Sequence, residues 1–316
     1  MKLRYIDALR GIAILAVIIV HTGQYGTNDF PSTINSLIHQ GARGVQLFYL
    51  ASAFTLFLSF NHRKKIEINA NRNFFIRRFF RIAPMYYLGI LYYLLQDGLG
   101  ARYWLADAKS ISINNILSNI FFVHGANPYW ITSLVPGGWS ITVEMTFYTI
   151  IPFLVGRISS LNKAVNFTIL TLLFSLILKL VLQKFPLIAN QWLWNQYLFL
   201  YFPSQLPVFG LGIIAYFLII KKDRDLTGSS YLLISLLLIA HFTWGVTPNH
   251  FLSGLIPNHF IFGLAFLVLI ISLSKTENSL LVNKFTIFLG KISYSAYLVH
   301  FAILYWLDKF NLVDFI

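Results

Sequence analysis

The sequence predicts an all-α, polytopic transmembrane helix bundle. Three observations carry that expectation. First, the chain of 316 residues is 57% hydrophobic and only 11% charged, with a mean hydropathy of +0.67. A soluble domain has about a quarter charged residues, so this chain cannot cover its own surface in water. Second, the apolar residues come in long blocks, and crossing ~30 Å of hydrocarbon takes ~20 apolar residues as a helix. Third, Lys and Arg gather between alternate blocks, as positive-inside topology requires. Lipid offers no partner to free backbone groups, so the spans are helices.

In chain order the blocks fall near 11–25, 42–60, 82–96, 139–156, 164–183, 201–220, 229–244, 257–274 and 289–307. The first follows Met1–Arg10 closely. Val20-His21-Thr22-Gly23 is a poor cleavage site and many spans follow, so this block reads as a retained helix rather than a signal peptide. With the N-terminus in the cytoplasm, the inner side holds 18 of the 24 Lys and Arg residues and the outer side 6. The net charge of +13 is therefore a topology signal and not a nucleic-acid patch; Arg63-Lys64-Lys65 and Lys221-Lys222-Asp223-Arg224 are cytoplasmic markers. Nine spans from an inner start leave the C-terminus outside. Residues 1–316 read as a single domain. The longest stretch between spans, about 97–138, is rich in Asn, Trp and Tyr and suits a lid or an acceptor-side surface. Inside it, Ile111–Val123 is short and carries three Asn, which predicts an interfacial or re-entrant helix. A short echo, Pro248-Asn249-His250-Phe251 and Pro257-Asn258-His259-Phe260, reads as paired turn chemistry rather than a repeat architecture.

Cysteine is absent. That excludes disulfides, thiolate metal sites and a cysteinyl intermediate. No nucleotide-binding glycine loop and no metal-ligand spacing is present. The informative residues are those the bilayer penalises, at ~2.5–3.5 kcal/mol for an ionisable group in a span. Arg10 and His21 are eleven residues apart on the first span, hence on nearly one face and roughly 16 Å apart along the axis. Asp7, one turn before Arg10, is placed to orient it. A neutral imidazole can take a hydroxyl proton near neutral pH, so His21 is a candidate general base. In Gly137-Gly138-Trp139-Ser140-Ile141-Thr142-Val143-Glu144 the glycines break the backbone, and Ser140 and Glu144 share a helix face. Glu144 is the one acidic residue of eleven deep in an apolar block. In the run from Phe74 to Pro84, Arg77, Arg78 and Arg81 sit at the inner mouth of the third span; Arg78 and Arg81, three apart, can grip a phosphate together, or serve only as positive-inside charge. His124 and His300 are weaker candidates, and Ser52 is expected to bond back to its own helix.

Together these fragments resemble the acyltransferase 3 family of membrane acyltransferases. The carriers are Asp7-Ala8-Leu9-Arg10-Gly11-Ile12-Ala13 followed by His21, Leu47-Phe48-Tyr49-Leu50-Ala51-Ser52-Ala53-Phe54, Arg78-Phe79-Phe80-Arg81-Ile82-Ala83-Pro84, Trp139-Ser140-Ile141-Thr142-Val143-Glu144 with Phe147-Tyr148, and the run from Leu289 to His300, which contains Ser293-Tyr294-Ser295-Ala296-Tyr297-Leu298-Val299-His300. Gln46 stands where the family often has an acidic residue, and Ala53 where it usually has Gly. Family members usually carry one more span after the last motif, which sets the expected count at nine to ten.

The resemblance implies transfer of an acyl group, acetyl first, from cytoplasmic acyl-CoA to a hydroxyl on a cell-surface polysaccharide or glycolipid. No cofactor is held; acyl-CoA is a co-substrate. His21, Arg10 and Glu144 would be catalytic, with Glu144 tuning His21 if their helices touch. Arg77, Arg78 and Arg81 would face the CoA phosphates, and Asp7, Ser140, Trp139, Ser52 and His300 would support the site. A transporter or flippase for a lipid-linked sugar is the alternative; paired halves with broken helices would mark it, and the sequence has none.

Overall fold

The computed structural model describes residues 3–23, 30–102, 105, 107–220, 228–241, 243, 256–310 and 312. Among them it is all-α. The helices are α1 (Arg4–Thr22), α2 (Ser32–Gln40), α3 (Gly44–Lys64), α4 (Ala70–Asp97), α5 (Ile113–Ile120), α6 (Gly138–Arg157), α7 (Leu161–Lys184), α8 (Gln191–Leu200), α9 (Phe202–Ile220), α10 (Gly228–Ala240), α11 (Asn258–Lys275) and α12 (Lys284–Lys309). Seven segments are long and apolar enough to cross a membrane: α1, Ser32–Lys64, α6, α7, Gln191–Ile220, α11 and α12. The expected spans 82–96 and 229–244 fall elsewhere. The first lies in α4, whose 28 residues begin with an arginine-rich half. The second corresponds to α10, with 13 residues. The Lys221–Arg224 run and the first copy of the Pro-Asn-His-Phe echo lie outside the described residues; in the second copy, Pro257 caps α11 and Asn258 begins it.

The chain divides into two compact units, residues 1–55 with 208–316, and residues 56–207. In the first unit α1 packs against α12 at backbone distance. A Cβ on Gly11 would strike the Thr286 carbonyl, and one on Gly290 the Asp7 carbonyl. Small residues allow such approach where lipid supplies no hydrophobic drive between helices. Asn283 and Thr286 form a capping box that starts α12 at this contact. Ten residues further along both helices, His21 meets His300. The two helices therefore run parallel, and if both cross the bilayer the crossings from α1 through α12 are odd in number. Gly44 of α3 meets the Ala13 carbonyl in the same backbone-close way, and Gly212 of α9 meets the Leu50 carbonyl. At the helix starts, Arg4 pairs with Glu277 in the turn before α12, at 3.4 Å.

In the second unit α7 is peripheral: only 11% of its apolar window is buried, leaving Leu170, Leu173, Phe174, Ile177 and Leu180 exposed. The segment after α4 is no solvated lid. Asn115 and Asn119 of α5 are 1% exposed and His124 is fully buried. Asn115 Nδ2 donates to Ser133 Oγ at 2.7 Å, Asn119 Nδ2 to the Asn115 carbonyl at 3.0 Å, and Tyr86 Oη to Asn119 Oδ1 at 2.8 Å. The asparagines are there to satisfy one another and the backbone beneath a covered surface, which composition alone could not distinguish from a polar lid.

Candidate active site

The first unit holds an imidazole pair. His21 occupies the last turn of α1, so it marks that helix's far end rather than its middle. Its ring lies 5.3 Å from the ring of His300 and 4.4 Å from that of Phe301, centroid to centroid. His300 is buried, and its Nδ1–H donates to the Tyr297 carbonyl. That fixes the tautomer and leaves Nε2 as the lone-pair nitrogen, buried and without a hydrogen bond among the described residues. Phe301 also contacts the His300 ring, at 4.2 Å. Sequence reasoning placed His300 among supporting residues; its contact with His21 arises from the packing of α1 on α12, which no local spacing encodes.

Arg10 lies toward the other end of α1. Its Nη2 donates to Thr55 Oγ1 on α3 at 3.0 Å. Thr55 Oγ1 is held in turn by the carbonyls of Ala51 and Ser52, at 2.9 and 3.0 Å. Thr55, 45 residues away, is a partner of Arg10 that helix spacing does not signal, and the Asp7 backbone packs against Gly290. Ser52 is buried on the same stretch of α3.

The second unit presents α6. Gly137 sits at φ 76°, a left-handed conformation that glycine adopts without cost. At Gly138 a Cβ would stand 2.8 Å from Tyr86 Oη. The Gly138 carbonyl accepts from His124 Nε2 at 3.0 Å, so that nitrogen carries the proton. Burial holds His124 down at about 4, neutral through the physiological range. The glycine break is therefore a built junction, and it launches the helix that carries Trp139, Ser140 and Glu144. Trp139 packs on the cluster of Ile131, Trp194, Leu198 and Tyr201. Ser140 Oγ donates to the Gly137 carbonyl at 3.0 Å.

Tyr148 Oη donates to Glu144 Oε1 at 2.6 Å, one turn along α6. The face of Tyr148 carries the Arg78 guanidinium, 5.6 Å from the ring centroid, and Phe74 holds the same group at 5.7 Å. The structure thereby joins two motifs that the sequence lists separately, Arg78 from the arginine run and Glu144 from α6. Arg78 Nε is buried and makes no hydrogen bond among the described residues. Arg81, one turn on, is exposed. Arg77 has an acidic partner that the sequence does not signal. Both its terminal nitrogens donate to Glu67 Oε2 at 3.1 Å, and Arg63 holds Glu67 Oε1 at 2.7 Å. These cations, the Arg63 hydrogen bond first, keep the Glu67 carboxyl below its usual range. Tyr148 and Thr55 are the residues that sequence reasoning left without a role; the i, i+4 spacing of Tyr148 from Glu144 is the signal for the first, and nothing local signals the second. No cluster of His, Asp or Glu able to hold a metal is found among the described residues.

A family model described as an acyltransferase domain, acyltransferase 3, matches residues 3–314. A protein of Acidianus two-tailed virus named "Putative acetyltransferase ORF330" is 26% identical over 302 residues, covering 93% of this chain and 81% of its own. No solved structure matches.

Proposed function

This chain belongs to the acyltransferase 3 family of membrane acyltransferases, and on that premise we propose that it moves an acetyl group from cytoplasmic acetyl-CoA to a hydroxyl of a cell-surface polysaccharide or glycolipid. The observation that carries the reading within the family is the contact of His21 with the tautomer-fixed His300. Two imidazoles packed with Phe301 are ionisable groups that the bilayer would penalise if they had no task.

In this reading His21 removes the proton from the acceptor hydroxyl, and the oxygen attacks the thioester carbonyl. The C–S bond breaks and the CoA thiolate leaves, taking up a proton. The donor is polyanionic, and Arg78 and Arg81 receive its phosphates; Arg78 is partly exposed, and Arg81 is open to the surface. Arg77 is already engaged by Glu67 and contributes charge at a distance. Glu144, through Tyr148, holds the ring on which Arg78 rests, and so positions the donor cation. Arg10, steadied by Thr55 about three turns of α1 away from His21, is a cation of the first unit that holds the donor rather than its reacting carbonyl.

The proposed topology has nine spans, counting 82–96 in α4 and 229–244 at α10, with the N-terminus in the cytoplasm. The parallel course of α1 and α12 fits an odd count. A test is incubation of the purified protein with radiolabelled acetyl-CoA and fractionated cell envelopes. Label in a polysaccharide or glycolipid fraction, released by mild base as acetate, is the expected result. Label moving only to protein or to amines would overturn it.

A further inference from the structure

We propose that the second unit holds one hydrocarbon chain of a bilayer lipid in a built cavity between α6, α7 and α8, on the side of α6 turned away from Glu144. The cavity measures about 400 Å³ and is lined by Thr146, Leu178, Leu182, Trp194, Tyr197 and Tyr201, among others. That is the size of a ligand pocket rather than of a packing void. On α6 the lining positions Thr142, Val143 and Thr146 share one face. At 100° per residue, Glu144 lies about 160° round the helix from both Thr142 and Thr146, and Ser140 and Tyr148 lie about 120° or more from both, so the threonine wall is turned away from the acyl-transfer groups.

The occupant follows from the polar inventory of the wall. Thr142 Oγ1 donates to the Phe122 carbonyl at 2.7 Å and accepts from Gly125 N at 3.2 Å. Thr146 Oγ1 donates to the Thr142 carbonyl at 2.8 Å. Tyr197 Oη donates to the Gly125 carbonyl at 3.3 Å, and Trp194 Nε1 to the Leu182 carbonyl at 2.8 Å. The Tyr201 hydroxyl is sealed within the protein and has no hydrogen-bond partner among the described residues. Every polar side chain of the wall is thus spent or covered. A water needs two to four polar partners to be held in such a place, and a sugar or nucleotide needs more. A chain of methylenes needs none.

The source of that chain is next door. Leu178 and Leu182 belong to α7, and beside them Ile177, Leu180 and Val181 are about half exposed or more, on the face turned to lipid. Hydrocarbon is therefore the medium at the rim. The aromatic walls, Trp194 stacked on Tyr197 with ring centroids 5.5 Å apart, give a rigid slot in place of mobile aliphatic side chains. A phospholipid acyl chain and the chain of a polyprenyl-linked glycan share this chemistry.

The test uses the full chain in phosphatidylcholine nanodiscs whose lipid carries a diazirine at one chain end. Photolysis is expected to label Thr146 and Tyr197 as strongly as the lipid face of α7. Leu182→Trp, which fills the slot, is expected to cut label at Thr146 and Tyr197 at least tenfold and leave label at Leu173 and Phe174 within twofold. Thr146→Phe fills the slot from the opposite wall and serves if the first variant does not accumulate. Absence of label inside the slot of the unsubstituted protein, or label indifferent to both fillings, overturns the proposal. Competition by unlabelled polyprenyl phosphate at an equimolar ratio assigns the slot to an isoprenoid chain; competition by phosphatidylcholine alone assigns it to a phospholipid. Acetyl transfer is not read in this experiment, so its result stands apart from that of the acyltransferase assay.

Discussion

At the scale of single residues, the proposed chemistry rests on groups whose cost in a bilayer made them visible. Arg10, His21 and Glu144 stand out in the sequence because each interrupts an apolar block. Their partners do not stand out. Thr55, Tyr148 and Phe301 are ordinary membrane-helix residues until the helices pack. His21→Ala is expected to lower acetyl transfer by ~100-fold or more, the usual contribution of a general base, with normal insertion and yield; turnover within threefold of the parent would remove His21 from the mechanism. Replacing Arg78 and Arg81 by Gln should raise the KM for acetyl-CoA by about tenfold or more and leave the acceptor KM near its parental value. An unchanged donor KM, measured in the same assay, would reduce both arginines to topological charge. Glu144→Gln retains an oxygen to accept from Tyr148 and loses the charge beside Arg78. It should lower turnover more than tenfold while gel-filtration yield stays the same, and parental turnover would make Glu144 a structural residue.

At the scale of elements, the helices were legible where apolar runs were long, and their ends were not. The block expected at 42–60 continues through a 3-10 turn to the helix starting at Ser32, and the one at 201–220 abuts α8. The run 97–138 was the least legible, because Asn reads alike in a solvated loop and in a buried network. That network gives a prediction of its own. His124 is neutral in the fold down to about 4 and would titrate near 6.5 unfolded. Between those values the unfolded chain takes up a proton that the native junction refuses, so stability is complete above ~6.5 and falls as pH drops toward ~4, by on the order of 3 kcal/mol. Thermal denaturation of the parent at pH 7 and pH 5 should show this loss, and His124→Gln should shrink it; an equal pH dependence in both would exempt His124. The contact of α1 with α12 is tested by Gly290→Leu. Its side chain would enter the Asp7 carbonyl, so α12 must move away, and a loss of folded protein or of activity is expected where Leu280→Ala, at an exposed position, has no effect.

At the scale of the whole molecule, the sequence carried the class and gives an expected sidedness. A low charge content and long apolar blocks leave few alternatives to a helical membrane protein, and the count of cations per loop gives an orientation without any structure. What it could not carry is which blocks adjoin, since one lipid-facing helix looks much like another in composition. The absence of cysteine makes the orientation easy to measure. Single cysteines at Lys64 and Glu277 should react with a membrane-impermeant maleimide only in inside-out vesicles, and one at Lys109 only in intact cells. Reaction of Glu277→Cys from outside would overturn the proposed topology.

The pairing of the first helix with the last has a consequence for how the protein is made. Helices enter the membrane in the order in which the ribosome delivers them. When α1 arrives, Gly290 and His300 are still about 280 residues from synthesis, so His21 must wait in the translocon or beside lipid with its eventual neighbour absent. The imidazole pair is therefore a late product of biogenesis, completed only when the final helix slides in alongside the first. A chain stalled or cut before α12 would display most of the spans and all of the arginine run, yet it would lack half of the site. On the proposed reading, partly synthesised copies would stay silent until α12 is in place beside α1.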